Sequence, residues 1–131
     1  MCKNIISNDI YKGVVKFGED LDNGTSTIML LGKQKRVQLD FGLLRFYRVL
    51  SRDLFSETFY PKHLIDTFVH SGQSDGLFIV EDPFLINFVK YRASGMADWF
   101  HLRHYIIITS NIVIDIITEE SCKPIVTEYT V

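Results

Sequence analysis

His104 and Asp115, in the stretch HLRHYIIITSNIVIDIITEE (101–120), are the residue types in this chain best placed to move a proton together. An imidazole whose tautomer is fixed by a carboxylate is the arrangement of a general base. The stretch reads as two strands joined at Ser110-Asn111. With a period of two, Phe100, Leu102, His104, Ile106 and Ile108 share one face, and His101, Arg103, Tyr105, Ile107 and Thr109 share the other. A two-residue turn after Thr109 sets Asp115 near Ile106, so that contact with His104 is diagonal. The competing interpretation is a structural histidine and aspartate on an ordinary hairpin.

The other chemistry-bearing residues are dispersed. His63 and His70 fall on one side of a predicted helix but two turns apart, too far to share a metal. His101 and His104 would share a face only in a helix, and the β-rich composition around them argues for a strand. Glu19, Asp20, Asp22, Glu119 and Glu120 are acidic turn clusters without EF-hand spacing. Cys2 and Cys122 are the only cysteines, too few for a disulfide framework and without a Cys-x-x-Cys zinc pair. No nucleotide-binding, nucleophile-elbow or kinase motif occurs. The expectation is a protein with no metal and no cofactor.

HYIIITSNIVIDIIT (104–118) resembles the histidine and aspartate limb of papain-like and transglutaminase-like thiol enzymes, in which a His begins one strand and an Asp or Asn lies on the next. The resemblance implies a cysteine nucleophile upstream of the histidine, with a thiol pKa lowered by a helix N-terminus and the imidazole. Cys2 is the one cysteine upstream. The implied roles are Cys2 as nucleophile, His104 as general base and Asp115 as its orienting partner.

The elements that must position these residues alternate along the chain. Tyr11 to Phe17, Thr25 to Leu31 and Arg36 to Leu39 read as an antiparallel meander, broken by the turn-rich 18–24 and by Gly32-Lys33-Gln34-Lys35. Asp40 then looks like a helix N-cap, because Leu43, Leu44, Phe46, Tyr47, Leu50 and Leu54 recur at helical spacing. Pro61 suits the start of a second helix with Leu64, Ile65, Phe68 and Val69 as its buried stripe. Leu77 to Val80 is a short buried strand, and Asp82-Pro83 opens a third helix through Phe84, Leu85, Phe88 and Val89. Three strands follow, at 100–109, 112–118 and 125–131. The order βββ-αα-β-α-βββ predicts an α+β domain with a mostly antiparallel sheet of about seven strands and helices on one face.

Composition bounds what such a domain does. A chain of 131 residues makes one domain, and 47% hydrophobic with 13% aromatic content supports a sizeable core. A net charge of -2 lacks the basic footprint of nucleic-acid binding. No apolar run approaches a membrane span or a signal peptide, so a cytoplasmic location is expected. Two function classes follow. One is a small protein-binding domain that blocks another macromolecule, as immunity proteins, antitoxins and inhibitors do, with a basic toxin or nuclease as the partner its acidic turns would suit. Its contact candidates are the aromatics Tyr11, Tyr60, Tyr91, Trp99 and Tyr129, with Glu19, Asp20, Asp22, Glu119 and Glu120 for steering. The other is the thiol hydrolase or transferase built on Cys2, His104 and Asp115.

Overall fold

The computed structural model describes residues 3–20, 25–70, 75–92 and 101–130. Among the described residues, eight strands divide between two antiparallel sheets. β1 (Lys12–Asp20), β2 (Thr25–Leu31), β3 (Lys35–Phe41) and β8 (Ile125–Thr130) form the first, in the order β1-β2-β3-β8. β4 (Phe46–Ser51), β5 (Gly76–Val80), β6 (Leu102–Ile108) and β7 (Ile112–Glu119) form the second, in the order β4-β7-β6-β5. The domain is α+β and mostly antiparallel sheet. Among the described residues, no helix is long and apolar enough to cross a membrane.

The two sheets differ because their sequences differ. β2 and β3 alternate, so Ile28, Leu30, Val37, Leu39 and Phe41 point inward while Met29, Arg36 and Gln38 point out. Such alternation belongs to a sheet with one solvated face. β6 and β7 are instead continuous runs, buried from His104 to Thr109 and from Val113 to Thr118, which requires cover on both faces. Tyr105, Ile107, Ile114 and Ile116 pack against the first sheet. Ile106, Ile108 and Val113, with Phe78 and Val80 of β5, pack against a helical layer that contributes Phe55, Tyr60, Leu64, Ile65 and Phe68.

The helical layer is smaller than the periodicity predicts. The expected helix through residues 43–55 is β4 followed by one 3-10 turn, Arg52–Leu54. Phe46, Arg48 and Leu50 are half-buried and Tyr47, Val49 and Ser51 exposed, the alternation of an edge strand rather than a helical stripe. Asp40, the expected cap, lies inside β3 and accepts a hydrogen bond from the Thr27 hydroxyl at 2.9 Å. The second helix is one α turn, α1 (Lys62–Ile65), that continues as a π-helical turn over Asp66–His70. α2 (Phe84–Arg92) begins as expected: Asp82 Oδ1 accepts the Phe84 N–H at 2.8 Å.

Polar side chains tie the sheets together where strands end. The β6–β7 hairpin turns through Ser110-Asn111, with Thr109 N–H donating to Ile112 O at 3.0 Å. Asn111 then grips β1, accepting from Gly13 N–H at 2.9 Å and donating to Gly13 O at 3.3 Å. The contact is close: a Cβ on Gly13 would stand 2.9 Å from Ile112 Cδ1 and 3.2 Å from Thr109 Cγ2, so both side chains would have to give way. Asn111→Ala leaves the Gly13 groups unmatched and is expected to lower stability by about 1–2 kcal/mol in urea unfolding. Gly13→Val is expected to cost about 1–3 kcal/mol through overpacking. A wild-type midpoint in Asn111→Ala would show that this joint does not hold the sheets.

Candidate functional site

The hairpin register places His104 opposite Ile117 and Asp115 opposite Ile106, so the two side chains meet on the diagonal. They lie on the face of the second sheet that carries the helical layer, and both are fully buried. His104 Nε2 is 2.7 Å from Asp115 Oδ1. A carboxylate only accepts, so Nε2 carries the proton and donates.

Two further groups converge on the same carboxylate from elsewhere in the chain. β4 pairs with β7 so that Arg48 stands opposite Asp115, and Arg48 Nε donates to Asp115 Oδ2 at 2.7 Å. The Tyr60 hydroxyl donates to Oδ2 at 2.6 Å. The Arg48 guanidinium also lies 4.8 Å above the Tyr60 ring and donates to Phe59 O at 3.2 Å, which pins the segment leading into α1. Phe84 closes the site, its ring edge-on to His104 at 5.7 Å and to Tyr60 at 6.0 Å.

The electrostatics follow from this geometry. Burial pushes the Asp115 carboxyl up, but the hydrogen bonds from His104, Tyr60 and Arg48 outweigh it and hold the group below the usual carboxylate range. Burial, and next the charge of Asp115, drive the Tyr60 phenol far above its ordinary value, so it serves as a protonated donor. His104 Nδ1 is buried without a hydrogen-bond partner among the described residues. The arrangement is an oriented imidazole inside a sealed shell, with a cation and an anion paired beside it.

The remaining sequence candidates are scattered or internal. Cys2 lies outside the described residues, as do Asp22 and Trp99. Tyr11 and Tyr60, expected as contact aromatics, are corrected to interior residues with 0% and 3% exposure. Tyr11 packs in the inter-sheet core with its hydroxyl donating to Ser7 O, and Tyr60 is a donor to Asp115. Burial and neighbouring carboxylates raise the Tyr11 phenol to about 12. Tyr91, 81% exposed on α2, and Tyr129, 48% exposed on the first sheet, stand on opposite outer layers and form no common patch. Glu119 is ion-paired with Arg45 at 2.8 Å, and Glu120 is exposed in the turn after β7. Glu19 and Asp20 close β1, Glu19 within an irregularity of its register and Asp20 paired beyond it. His63 is exposed at the surface, and its Nε2 lies 2.7 Å from Asp82 Oδ2.

Arg48 and Phe84 are the members of the network that carried no local signal, because each reaches the site through pairing or packing distant in sequence. Among the described residues, no group of three or more His, Cys, Asp and Glu side chains is placed to hold a metal.

The lowered Asp115 pKa fixes a pH dependence. Its stabilising contribution is fully present above the unfolded carboxylate value of about 3.9 and is lost as pH falls through the lower folded value. Arg48→Met leaves Asp115 buried without its cation and is expected to cost about 3–5 kcal/mol at neutral pH. Asp115→Asn is expected to be less stable at pH 7 and to show a shallower loss between about pH 5 and 2 than wild type. Parallel wild-type and variant profiles from urea unfolding would contradict this account of Asp115. No known protein family, characterised protein or solved structure matches the chain.

Proposed function

We propose that this chain is a protein-binding domain that acts by occupying a surface of another protein, in the manner of an inhibitor, immunity protein or antitoxin. The observation that carries this reading is the outer face of the first sheet. On it Val14 pairs across from Met29, Leu31 follows two residues on, and Tyr129 lies across from Arg36. Val14, Leu31, Ile125 and Tyr129 are 39%, 38%, 67% and 48% exposed. A shallow groove of about 530 Å³ runs beside Met29, Arg36, Gln38 and Tyr129. Apolar and aromatic side chains interleaved with polar ones on a rigid sheet are the makings of an interface with a desolvated centre and a polar rim. The buried His104–Asp115 network serves as scaffold in this reading.

The test is retention of a partner. Immobilised wild-type protein is expected to hold one partner at a fixed stoichiometry from extracts of its source cells, and a Leu31→Glu/Tyr129→Ala variant with an unchanged melting temperature is expected to release it. Equal retention by both would move the interface off this face. A monomer that retains nothing in either form would remove the reading.

A second reading rests on one observation, the unpartnered Nδ1 of His104 opposite a fixed Nε2. In it Cys2 is the nucleophile of a thiol hydrolase or transferase, His104 its base and Asp115 the orienter. Alkylation rates across pH decide: this reading expects Cys2 to react well below the ordinary thiol pKa of roughly 8.5 and to lose that reactivity in His104→Gln. A rate that follows ordinary thiol titration in both proteins would dismiss it.

A further inference from the structure

A cleft of about 1070 Å³ runs along the outer edge of β5 between α1 and the N-terminal segment. Only part of that edge is covered. Ile5 N–H donates to Leu77 O at 2.8 Å, and Asn4 Oδ1 accepts from Leu77 N–H at 3.0 Å. The backbone groups of Leu77 therefore point away from β6. In an antiparallel strand the direction repeats every second residue, so the N–H and C=O of Ile79 point the same way, into the cleft. Among the described residues, no backbone or side-chain group meets them.

The walls of the cleft are chemically specific. Leu64 and Ile79 supply apolar surface, and the His63–Asp82 pair marks one rim. Arg103 lines the cleft half-buried, and among the described residues it has no ion pair. Glu81 also lines the cleft, yet it makes no ion pair with Arg103. A backbone edge left open, beside a half-buried guanidinium without an ion pair, among the described residues suits an extended chain that carries a carboxylate.

We propose that the cleft along β5 binds an extended peptide segment of a partner protein, which pairs with the Ile79 backbone as an added strand and presents a carboxylate to Arg103. The site rests on the reading of the chain as a protein-binding domain, and it gives the partner a chemistry. The occupied stretch at Leu77 shows the mode of binding, since the N-terminal segment already uses the same edge by a strand-type hydrogen bond. Affinity would come from the backbone pairing, and selectivity from Arg103 and the Leu64–Ile79 surface.

The probe is a phage-displayed library of random octapeptides selected on the full chain. Enriched peptides are expected to share an Asp or Glu at a fixed position and to slow hydrogen exchange at the Ile79 amide. Arg103→Gln should weaken the best peptide by about tenfold or more, the effect of a lost charge-assisted hydrogen bond. Ile79→Pro removes the outward N–H and leaves the β5–β6 ladder intact, because proline is tolerated where an edge N–H faces out; it should abolish binding without unfolding the domain. Enriched peptides that bind both variants like wild type, or that protect other amides, would overturn the proposal. So would a β5-mediated dimer in sedimentation that Ile79→Pro dissociates, since the edge would then belong to a second copy. If no peptide is enriched while the full chain still retains its partner, this site is wrong and the binding reading stands. If neither occurs, both fall together.

Discussion

A carboxylate with no solvent exposure, Asp115 in the middle of β7, is the constraint around which the second sheet and its helical layer are arranged. Leaving such a charge uncompensated costs several kcal/mol, comparable with the whole stability of a small domain. The compensation comes from three separate places: His104 on the neighbouring strand, Arg48 on the other neighbour, and Tyr60 from the segment before α1. Each donor fixes the position of the element that carries it. Slipping β4 by one residue would turn Arg48 to the opposite face, where Tyr47 and Val49 now stand exposed, and take the cation away from Asp115. The network thus penalises a wrong register more strongly than the hydrophobic pattern of Phe46–Ser51 could alone.

A different device ties the turns and connecting segments to the two sheets. Short polar side chains satisfy backbone groups that no strand reaches. Asp9 accepts from Gln34 N–H and Lys35 N–H across the β2–β3 turn, and those backbone donors hold its carboxyl below the usual range. Asp75 accepts Tyr11 N–H at 3.1 Å, with burial pushing its carboxyl up despite that bond. Asn4 and Asn111 do the same at β5 and β1. Unpaired edges invite association with other chains, and Asn4 covers the edge of β5 at Leu77 in this way. Among the described residues, that covering stops one step short of Ile79.

What the sequence makes legible is what local pattern controls. The hairpin at Ser110-Asn111 sets its own register, so the diagonal meeting of His104 with Asp115 can be read from residue counting. The meander is equally local, with β2 running over the expected residues and β3 extending by a residue or two at each end. β4 is misread as a helix because Leu43, Leu44, Phe46, Tyr47, Leu50 and Leu54 fit helical spacing, while Phe46–Ser51 also alternates. Only pairing with β7, far along the chain, decides between the two. The same distance hides Arg48. Tyr60 is misassigned for another reason: a phenol has both an interface-like ring and a hydroxyl that suits a buried acceptor, and composition does not distinguish the two uses.

The sealed site and the open edge meet at one short segment. Asp82 accepts the Phe84 N–H that begins α2 and pairs with His63 at the rim of the cleft. Phe84, two residues later, is the ring that closes over His104. Holding Asp82 therefore holds the lid of the buried network, and the network in turn keeps α1 in place through Tyr60 and the Arg48 bond to Phe59 O. A half-exposed His–Asp pair contributes little to stability by itself. Its leverage is positional, because it sits where the helical layer, the start of α2 and the cleft share one residue. The rigidity of the cleft wall is thus set by the buried carboxylate behind it, and a pre-formed wall reduces the ordering that any bound segment must impose.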